Sequence, residues 1–92
     1  MEHEFDPNKD TINKGKHGLS LSFGVDIFEK DINYLIVPTI REKDGEDRYK
    51  IIGMVDGTLY IAVFTWVGAP PHYPRFISVR EANNGEIEIY NS

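Results

Sequence analysis

The chain has 92 residues, of which 40% are hydrophobic and 12% aromatic, which is enough apolar surface for one domain spanning residues 1–92. It contains no cysteine, which excludes disulfides, thiolate metal ligands and a cysteine nucleophile. The formal net charge of −5 argues against a general nucleic-acid coat protein, since phosphate binding draws mainly on lysine and arginine. Neither a signal peptide nor an apolar run of about 18 residues is visible, so we expect a cytoplasmic protein that makes no contact with a membrane.

The opening residues predict two short helices. Asp6 suits the cap of a helix and Pro7 its first position, because proline lacks the N–H that a first turn leaves unused. Gly18 suits the end of that helix, since glycine readily adopts the left-handed conformation. Ser20 then predicts the cap of a second helix, which would run through Phe28.

The middle of the chain predicts strands. The apolar run 34–37 ends at Pro38 and predicts the first strand, and the charged run 41–47 predicts an exposed loop. Asp56-Gly57 separates two further runs, 48–55 and 58–66, and is a strong hairpin signal because both residues tolerate a positive φ. Pairing Val55 with Thr58 fixes the register of this hairpin.

The register predicts two different faces. One face is apolar and aromatic, and we expect helices to pack on it: Tyr49, Ile51, Tyr60, Ala62 and Phe64. The other face is apolar near the turn and cationic at its far end, with three predicted cross-strand pairs: Arg48 with Thr65, Lys50 with Val63, and Ile52 with Ile61.

The last third of the chain predicts one more strand and a short helix. Residues 75–80 form the strand, and Asn83 followed by Glu86 resembles a capping box at the start of the helix. Gly85 weakens the helix prediction, and a strand is the alternative. The predicted fold is α+β, with two N-terminal helices, a mainly antiparallel four-stranded sheet whose helices cover one face, and a short C-terminal helix.

An ordered set of short motifs extends over nearly the whole chain. Its members are Phe5-Asp6-Pro7 with Lys9 and Asn13, Lys16-His17-Gly18-Leu19-Ser20, Gly45-Glu46-Asp47-Arg48, Ile52-Gly53, Val63-Phe64-Thr65, Ile77-Ser78-Val79-Arg80-Glu81-Ala82, and lastly Glu86 and Tyr90. In this order and spacing the set resembles the BrnT family of bacterial ribonuclease toxins. One segment departs from the family, whose last residues are usually basic, because residues 83–92 contain two glutamates and no lysine or arginine.

The resemblance implies several properties of the protein. It implies a compact RelE-like fold and cleavage of RNA without a metal or another cofactor. It also implies neutralisation by a small BrnA-type antitoxin, and contact with DNA only indirectly, through that antitoxin. Composition and spacing alone predict none of these properties.

Metal-free RNA cleavage needs a base, an acid and cations that stabilise the charge on phosphorus. An arginine taken alone is more often a solvated or paired surface cation, but the resemblance favours a phosphate-binding role for Arg48 and Arg80. Lys50 would point the same way as Arg48 and enlarge the cationic patch, or else be a solvated strand lysine. Arg75 would lie on the opposite face from Arg80 unless a bulge intervenes.

Proton transfer has two candidates. His17 is one of them, because imidazole is the side chain best suited to acid and base catalysis, although the end of a helix is a sufficient reason for a histidine there. Glu46 lies in a charged loop, where a solvated or arginine-paired carboxylate is common. Tyr90 is a candidate for stacking on a base, or else packs on the core, and the three scattered histidines have no metal-ligand spacing.

Two other functions remain open from the sequence. The acidic balance and the non-basic C-terminal segment are compatible with a non-catalytic interaction module on the same fold, which binds a partner protein. A regulatory domain unrelated to RNA is the third alternative. The adjacent reading frame would discriminate between them, because a short ribbon-helix-helix partner favours the toxin.

Overall fold

The computed structural model describes residues 1–39 and 47–92. These ranges contain three helices and five strands, in the order β1 (Glu4–Phe5), α1 (Pro7–His17), α2 (Phe23–Lys30), β2 (Leu35–Thr39), β3 (Arg48–Val55), β4 (Thr58–Val67), β5 (Tyr73–Glu81) and α3 (Asn84–Asn91). All five strands belong to one sheet with the order β1-β5-β4-β3-β2. Only β1 is parallel to its neighbour β5, and the other pairs of strands are antiparallel. The α+β class is therefore confirmed.

The fifth strand, β1, was not predicted. The sequence placed two helices before any strand and gave the sheet four strands, whereas Glu4 and Phe5 pair with Arg75 and Phe76 of β5. Two residues are too short to carry an alternating pattern, so β1 exists only through the long-range pairing that stabilises it.

Helix α1 begins and ends as predicted. The Asp6 side chain accepts a hydrogen bond from the Asn8 N–H at 2.8 Å, and Pro7 is the first helical residue. At the other end Gly18 adopts φ 72°, and its N–H donates to the Lys14 carbonyl at 2.9 Å. Capping chemistry thus determines both boundaries.

Helix α2 starts later than predicted. It begins at Phe23, and Ser20 does not cap it. The Ser20 hydroxyl instead donates to Asp10 of α1 at 3.0 Å and accepts from the Ser22 N–H at 3.2 Å. The buried Asp10 carboxylate also accepts from the Leu21 N–H at 2.7 Å, so it orders the whole turn between the two helices.

The hairpin of β3 and β4 confirms the predicted turn. Asp56 has φ 50° and Gly57 has φ 84°, the positive values that the turn requires. The register is also as predicted, with Val55 opposite Thr58, Lys50 opposite Val63, and Ile52 opposite Ile61.

The core lies on the predicted apolar face of the sheet. Ile51, Ala62 and Phe64 are fully buried there together with Ile27 of α2. The helix approaches closely at Gly53, where an added Cβ would lie 2.9 Å from an Ile27 methyl group. The aromatic residues on this face are therefore core residues, as expected.

Helix α3 lies on the other face, which corrects the prediction that the helices cover one face only. The Glu86 side chain of α3 binds Lys50 and Arg80, whose side chains point away from the core. Ile52 and Ile61 on this second face have no exposed surface. An apolar second face needs a cover, and the C-terminal helix supplies one.

Strand β1 pairs with only two residues of β5, and a side chain of α1 binds the backbone of β5 further along the same edge. The buried Asn13 of α1 donates through Nδ2 to the Val79 carbonyl at 2.8 Å and accepts from the Val79 N–H at 3.1 Å. Asn13 Nδ2 also donates to the Leu19 carbonyl at 2.8 Å. One amide side chain thus satisfies both backbone groups that an adjacent strand would otherwise pair.

No helix of the described residues is long and apolar enough to cross a membrane.

Candidate anion-binding site

Three of the predicted site residues lie on one face of the sheet. Lys50 pairs with Val63, and Arg80 pairs with Ile61, which itself pairs with Ile52. Because side chains alternate along a strand, Lys50 and Arg80 point to the same side, and Arg48, two residues before Lys50, does so as well. The three cations are therefore carried by β3 and β5 on the face that α3 covers.

A single carboxylate joins two of these cations. Arg80 makes a bidentate contact with Glu86, with Nη1 at 2.7 Å from Oε1 and Nη2 at 2.8 Å from Oε2. Lys50 Nζ donates to the same Oε2 at 2.6 Å. We call Lys50, Arg80 and Glu86 the cation cluster. It carries two positive charges and one negative charge.

The position of Glu86 follows from the start of α3. The Asn83 side chain accepts from the Glu86 N–H at 2.9 Å, and Glu86 Oε1 accepts from the Asn83 N–H at 2.8 Å. This is the predicted capping box, and it confirms the helix against the alternative of a strand. The local role of Glu86 was therefore predictable, but Glu86 was not predicted as a site residue.

The three side chains of the cation cluster differ in their exposure to solvent. The Glu86 side chain is 3% exposed, whereas those of Lys50 and Arg80 are 23% and 29% exposed. The cations thus lie between the buried acid and solvent. Burial alone would raise the pKa of Glu86, but the hydrogen bonds from Arg80, Lys50 and the Asn83 N–H outweigh it and lower that pKa to about 2. Glu86 is therefore ionised at neutral pH.

Arg48 is the first residue of β3 and is partly buried. Its predicted partner Thr65 lies one step beyond the pair formed by Tyr49 and Phe64, which is the last pair of this ladder. The Thr65 hydroxyl donates to the carbonyl of Asp47 at 2.9 Å, which fixes the chain just before Arg48.

Arg75 shares the face of Arg80 because β5 is irregular. Val63 pairs with Ser78, but the next residue of β4 pairs with Phe76, so Ile77 is an extra residue in β5. The sequence predicted that Arg75 and Arg80 share a face only if the strand contains a bulge, and β5 does contain one. Arg75 binds Glu4 of β1 at 2.6 Å, however, which neutralises its charge locally.

The other predicted site residues lie elsewhere. His17 is the last residue of α1, is exposed, and makes no hydrogen bond or ion pair within residues 1–39 and 47–92. The structure therefore does not bring His17 into contact with the cation cluster. Glu46, the other candidate for proton transfer, lies outside the described residues.

The Tyr90 hydroxyl donates a short hydrogen bond to Oδ2 of the buried Asp31, which holds the end of α3 against the rest of the chain. Asp31 also accepts from the N–H groups of Asn33 and Met54, each at 2.8 Å. Burial raises the pKa of Asp31, but these three donors together lower it. The hydrogen bond to Asp31 raises the pKa of Tyr90, so this tyrosine stays protonated at neutral pH.

Acidic and histidine side chains form no candidate metal site in the part of the chain that the structure describes, where no group of three or more is close enough to hold an ion. The chemistry available at the cation cluster is that of nitrogen donors, which bind an anion. Its geometry suits a phosphate group, because guanidinium and ammonium donors match phosphate oxygens.

Comparison with known proteins gives the class. Residues 5–86 match the family model described as the ribonuclease toxin BrnT of type II toxin–antitoxin systems. The crystal structure of the Brucella abortus ribonuclease toxin BrnT is similar, with a TM-score of 0.68 and 28% sequence identity over 91% of this chain and 99% of that one. No curated protein sequence matches the chain.

The fold and these matches define a ribonuclease toxin of a type II toxin–antitoxin system, a class of protein that acts together with an antitoxin partner. The chain belongs to the BrnT family.

Proposed function

We propose that the protein is a metal-independent endoribonuclease whose phosphate site contains Arg48, Lys50 and Arg80. The observation that carries this proposal is the pair of cations fixed by the buried Glu86 on the face to which Arg48 also belongs. Two cations against one buried acid leave an excess of positive charge, which attracts a phosphodiester even though the whole chain is acidic. Membership of a ribonuclease toxin family supports RNA as the substrate.

In this proposal the guanidinium groups of Arg48 and Arg80 stabilise the charge that develops on phosphorus, because they remain ionised and offer paired donors. Lys50 adds a third cation. His17 and Glu46 are the candidates for removing the 2′-hydroxyl proton and protonating the leaving 5′-oxygen. Their separate roles can be assigned by single substitutions to alanine.

Tyr90 is the proposed base-contacting residue of the substrate site. Its half-buried ring lies on α3, four residues after Glu86, and therefore on the same side of this helix. Since its hydroxyl already donates to Asp31, stacking through the ring is the interaction left for RNA. Tyr90→Leu, which removes the ring, should weaken RNA binding.

We further propose a BrnA-type protein as the antitoxin, with both proteins in the cytoplasm and DNA contacted only through the antitoxin. The test is co-expression with the product of the adjacent short reading frame. We expect that product to restore growth and to co-purify with the toxin. Growth arrest that persists with the adjacent product present would contradict this assignment.

The catalytic proposal is tested with purified protein, RNA and EDTA. Wild type should cleave the RNA, and the double variant Arg48→Ala with Arg80→Ala should be slower by about 10²- to 10³-fold, as when transition-state donors are removed from other enzymes. Lys30→Ala is the matched control, because it removes an exposed cation of α2 on the other side of the sheet. Absence of cleavage by folded wild type, or full activity of the double variant, would contradict the proposal.

One observation favours a second function, a non-catalytic module that binds a partner protein. Glu86 already binds Lys50 and Arg80, and α3 contributes no cation of its own. A chain of this kind would bind the antitoxin without cleaving RNA. If expression of the chain alone arrests growth and the arrest depends on Arg48 and Arg80, this alternative fails.

A further inference from the structure

We infer that Glu86 is a positioning residue of the proposed ribonuclease site, which directs one particular edge of Arg80 and the ammonium group of Lys50 towards the RNA phosphate. This inference rests on the function proposed above. Glu86 itself does not touch the substrate. It acts through the two cations that it binds from the protein side.

The hydrogen bonds of Arg80 define which edge remains for a ligand. A guanidinium group has five N–H donors. Nη1 of Arg80 donates to Glu86 Oε1 and to the Glu81 carbonyl, at 2.7 and 3.1 Å, and Nη2 donates to Glu86 Oε2 at 2.8 Å. Within the described residues, the Nε–H and the second Nη2–H are left. These two donors are parallel and adjacent, which is the arrangement that binds two oxygens of one phosphate.

Lys50 binds the same carboxylate as Arg80. Its Nζ uses one donor on Glu86 Oε2, the oxygen that also accepts from Arg80 Nη2. Two cations that share one oxygen are held close together in spite of their mutual repulsion. An ammonium group has three donors, so Lys50 keeps others for a second phosphate oxygen.

Glu86 does not compete with RNA for these cations. Its side chain is 3% exposed, and its Oε1 also accepts the Asn83 N–H in the capping box of α3. Displacing the carboxylate would therefore require the first turn of α3 to open. The buried acid is fixed, and the 23–29% exposed cations are the part of the cluster that a ligand can reach.

The experiment compares two substitutions that remove the same charge from the same helix. Glu86→Gln keeps the size of the side chain and an oxygen for the Asn83 N–H, but it removes the ion pairs. Glu88→Gln removes a solvent-exposed carboxylate of α3. For cleavage of a short RNA, we expect kcat to fall about 10- to 100-fold in Glu86→Gln, since misplacement by about 1 Å costs that much. In Glu88→Gln kcat should stay within about twofold.

A double-variant cycle separates positioning from a purely structural role. If Glu86 acts through Arg80 and Lys50, then Glu86→Gln should change kcat by less than about threefold when it is added to a variant that carries both Arg80→Ala and Lys50→Ala. A full additional loss in that background, where both cations are absent, would overturn the inference. So would unchanged or increased kcat in Glu86→Gln alone, which would indicate that the carboxylate competes with phosphate.

A second probe keeps the inference separate from the proposed function. A 2′-O-methyl RNA oligonucleotide cannot be cleaved, and its binding can be measured by fluorescence anisotropy even if wild type proves inactive. Removal of an acid should by itself tighten binding, as in Glu88→Gln. Weaker binding by Glu86→Gln than by Glu88→Gln supports the inference, whereas equal or tighter binding overturns it.

A measurement on wild type covers the case in which Glu86→Gln does not fold. The arginine side-chain Nε–H resonances are followed by NMR while the same oligonucleotide is added. The Arg80 Nε–H should shift on binding, because it belongs to the ligand-facing edge. An Arg80 Nε–H resonance that does not change at saturation would overturn the assignment of this edge.

Discussion

The low pKa of Glu86 predicts a specific loss of stability in acid. This carboxyl has a pKa of about 2 in the folded protein, against 4.5 for an ordinary glutamate. Because the folded value is the lower one, the stabilisation is fully present above pH 4.5 and is lost as the pH falls towards 2. At about 1.4 kcal/mol per pKa unit, it amounts to about 3 kcal/mol of unfolding free energy, and about 2 kcal/mol of this is lost by pH 3.

The assay is urea unfolding, followed by circular dichroism at pH 7 and at pH 3. The pKa values of Asp10 and Asp31 are also lowered in the folded protein, so these residues too reduce stability as the pH falls. Their effect is the same in wild type and in a variant of Glu86, and it cancels when the two are compared. The free-energy difference between wild type and Glu86→Gln should therefore shrink by about 2 kcal/mol between pH 7 and pH 3. Glu88→Gln should follow wild type within about 0.5 kcal/mol, as is usual for exposed sites. Parallel pH profiles of wild type and Glu86→Gln would show that folding does not lower the pKa of Glu86.

Three further predictions concern the scaffold, each measured by urea unfolding at pH 7. Asn13→Ala should cost about 2–4 kcal/mol, because it leaves both a buried N–H and a buried carbonyl of β5 without a partner; a loss below 1 kcal/mol would contradict this. Tyr90→Phe should cost about 1–2 kcal/mol and raise the pKa of Asp31, whose titration can be followed by NMR; an unchanged pKa would exclude the hydrogen bond. Gly24→Ala should cost about 1–3 kcal/mol, since its Cβ would lie 2.4 Å from a buried phenyl ring of β5, whereas Gly15→Ala, with nothing within 4 Å, should stabilise α1 by up to about 1 kcal/mol. Equal effects of the two glycine substitutions would contradict the close packing of Gly24 against the ring of Phe76.

The local parts of the fold were predictable because short-range chemistry determines them. Asp6 and Gly18 bound α1, Asp56-Gly57 forms the hairpin turn, and the hairpin register follows from that turn. The capping box of α3 was likewise readable from Asn83 and Glu86. In each case the interacting groups are only a few residues apart, so the pattern itself contains the contact.

The features that were not predicted, or were left conditional, depend on contacts between distant parts of the chain. Strand β1 depends on pairing across about 70 residues, and Ser20 was predicted as a cap because its bond to Asp10 of α1 could not be foreseen. The bulge at Ile77, which turns Arg75 to the face of Arg80, has no glycine to mark it. Tertiary contacts of this kind override local preferences.

The candidate site was predicted in part. Lys50 and Arg80 were named from the resemblance and the alternation of strand residues, and the structure brings them together. The residue that links them, Glu86, was predicted as a capping residue and as part of the family pattern but not as a site residue, because a sequence does not show that the first turn of a helix faces two strand cations. His17 lies at the predicted end of α1, and its part in proton transfer stays a prediction.

In the proposed mechanism, the 2′-hydroxyl of RNA attacks a phosphate that is held by protein cations rather than by a metal ion. The most direct test is analysis of the ends produced when wild type cleaves RNA in the presence of EDTA. Attack by the 2′-hydroxyl predicts products with 2′,3′-cyclic phosphate and 5′-hydroxyl ends. Products with 5′-phosphate ends, or cleavage that EDTA abolishes, would contradict it.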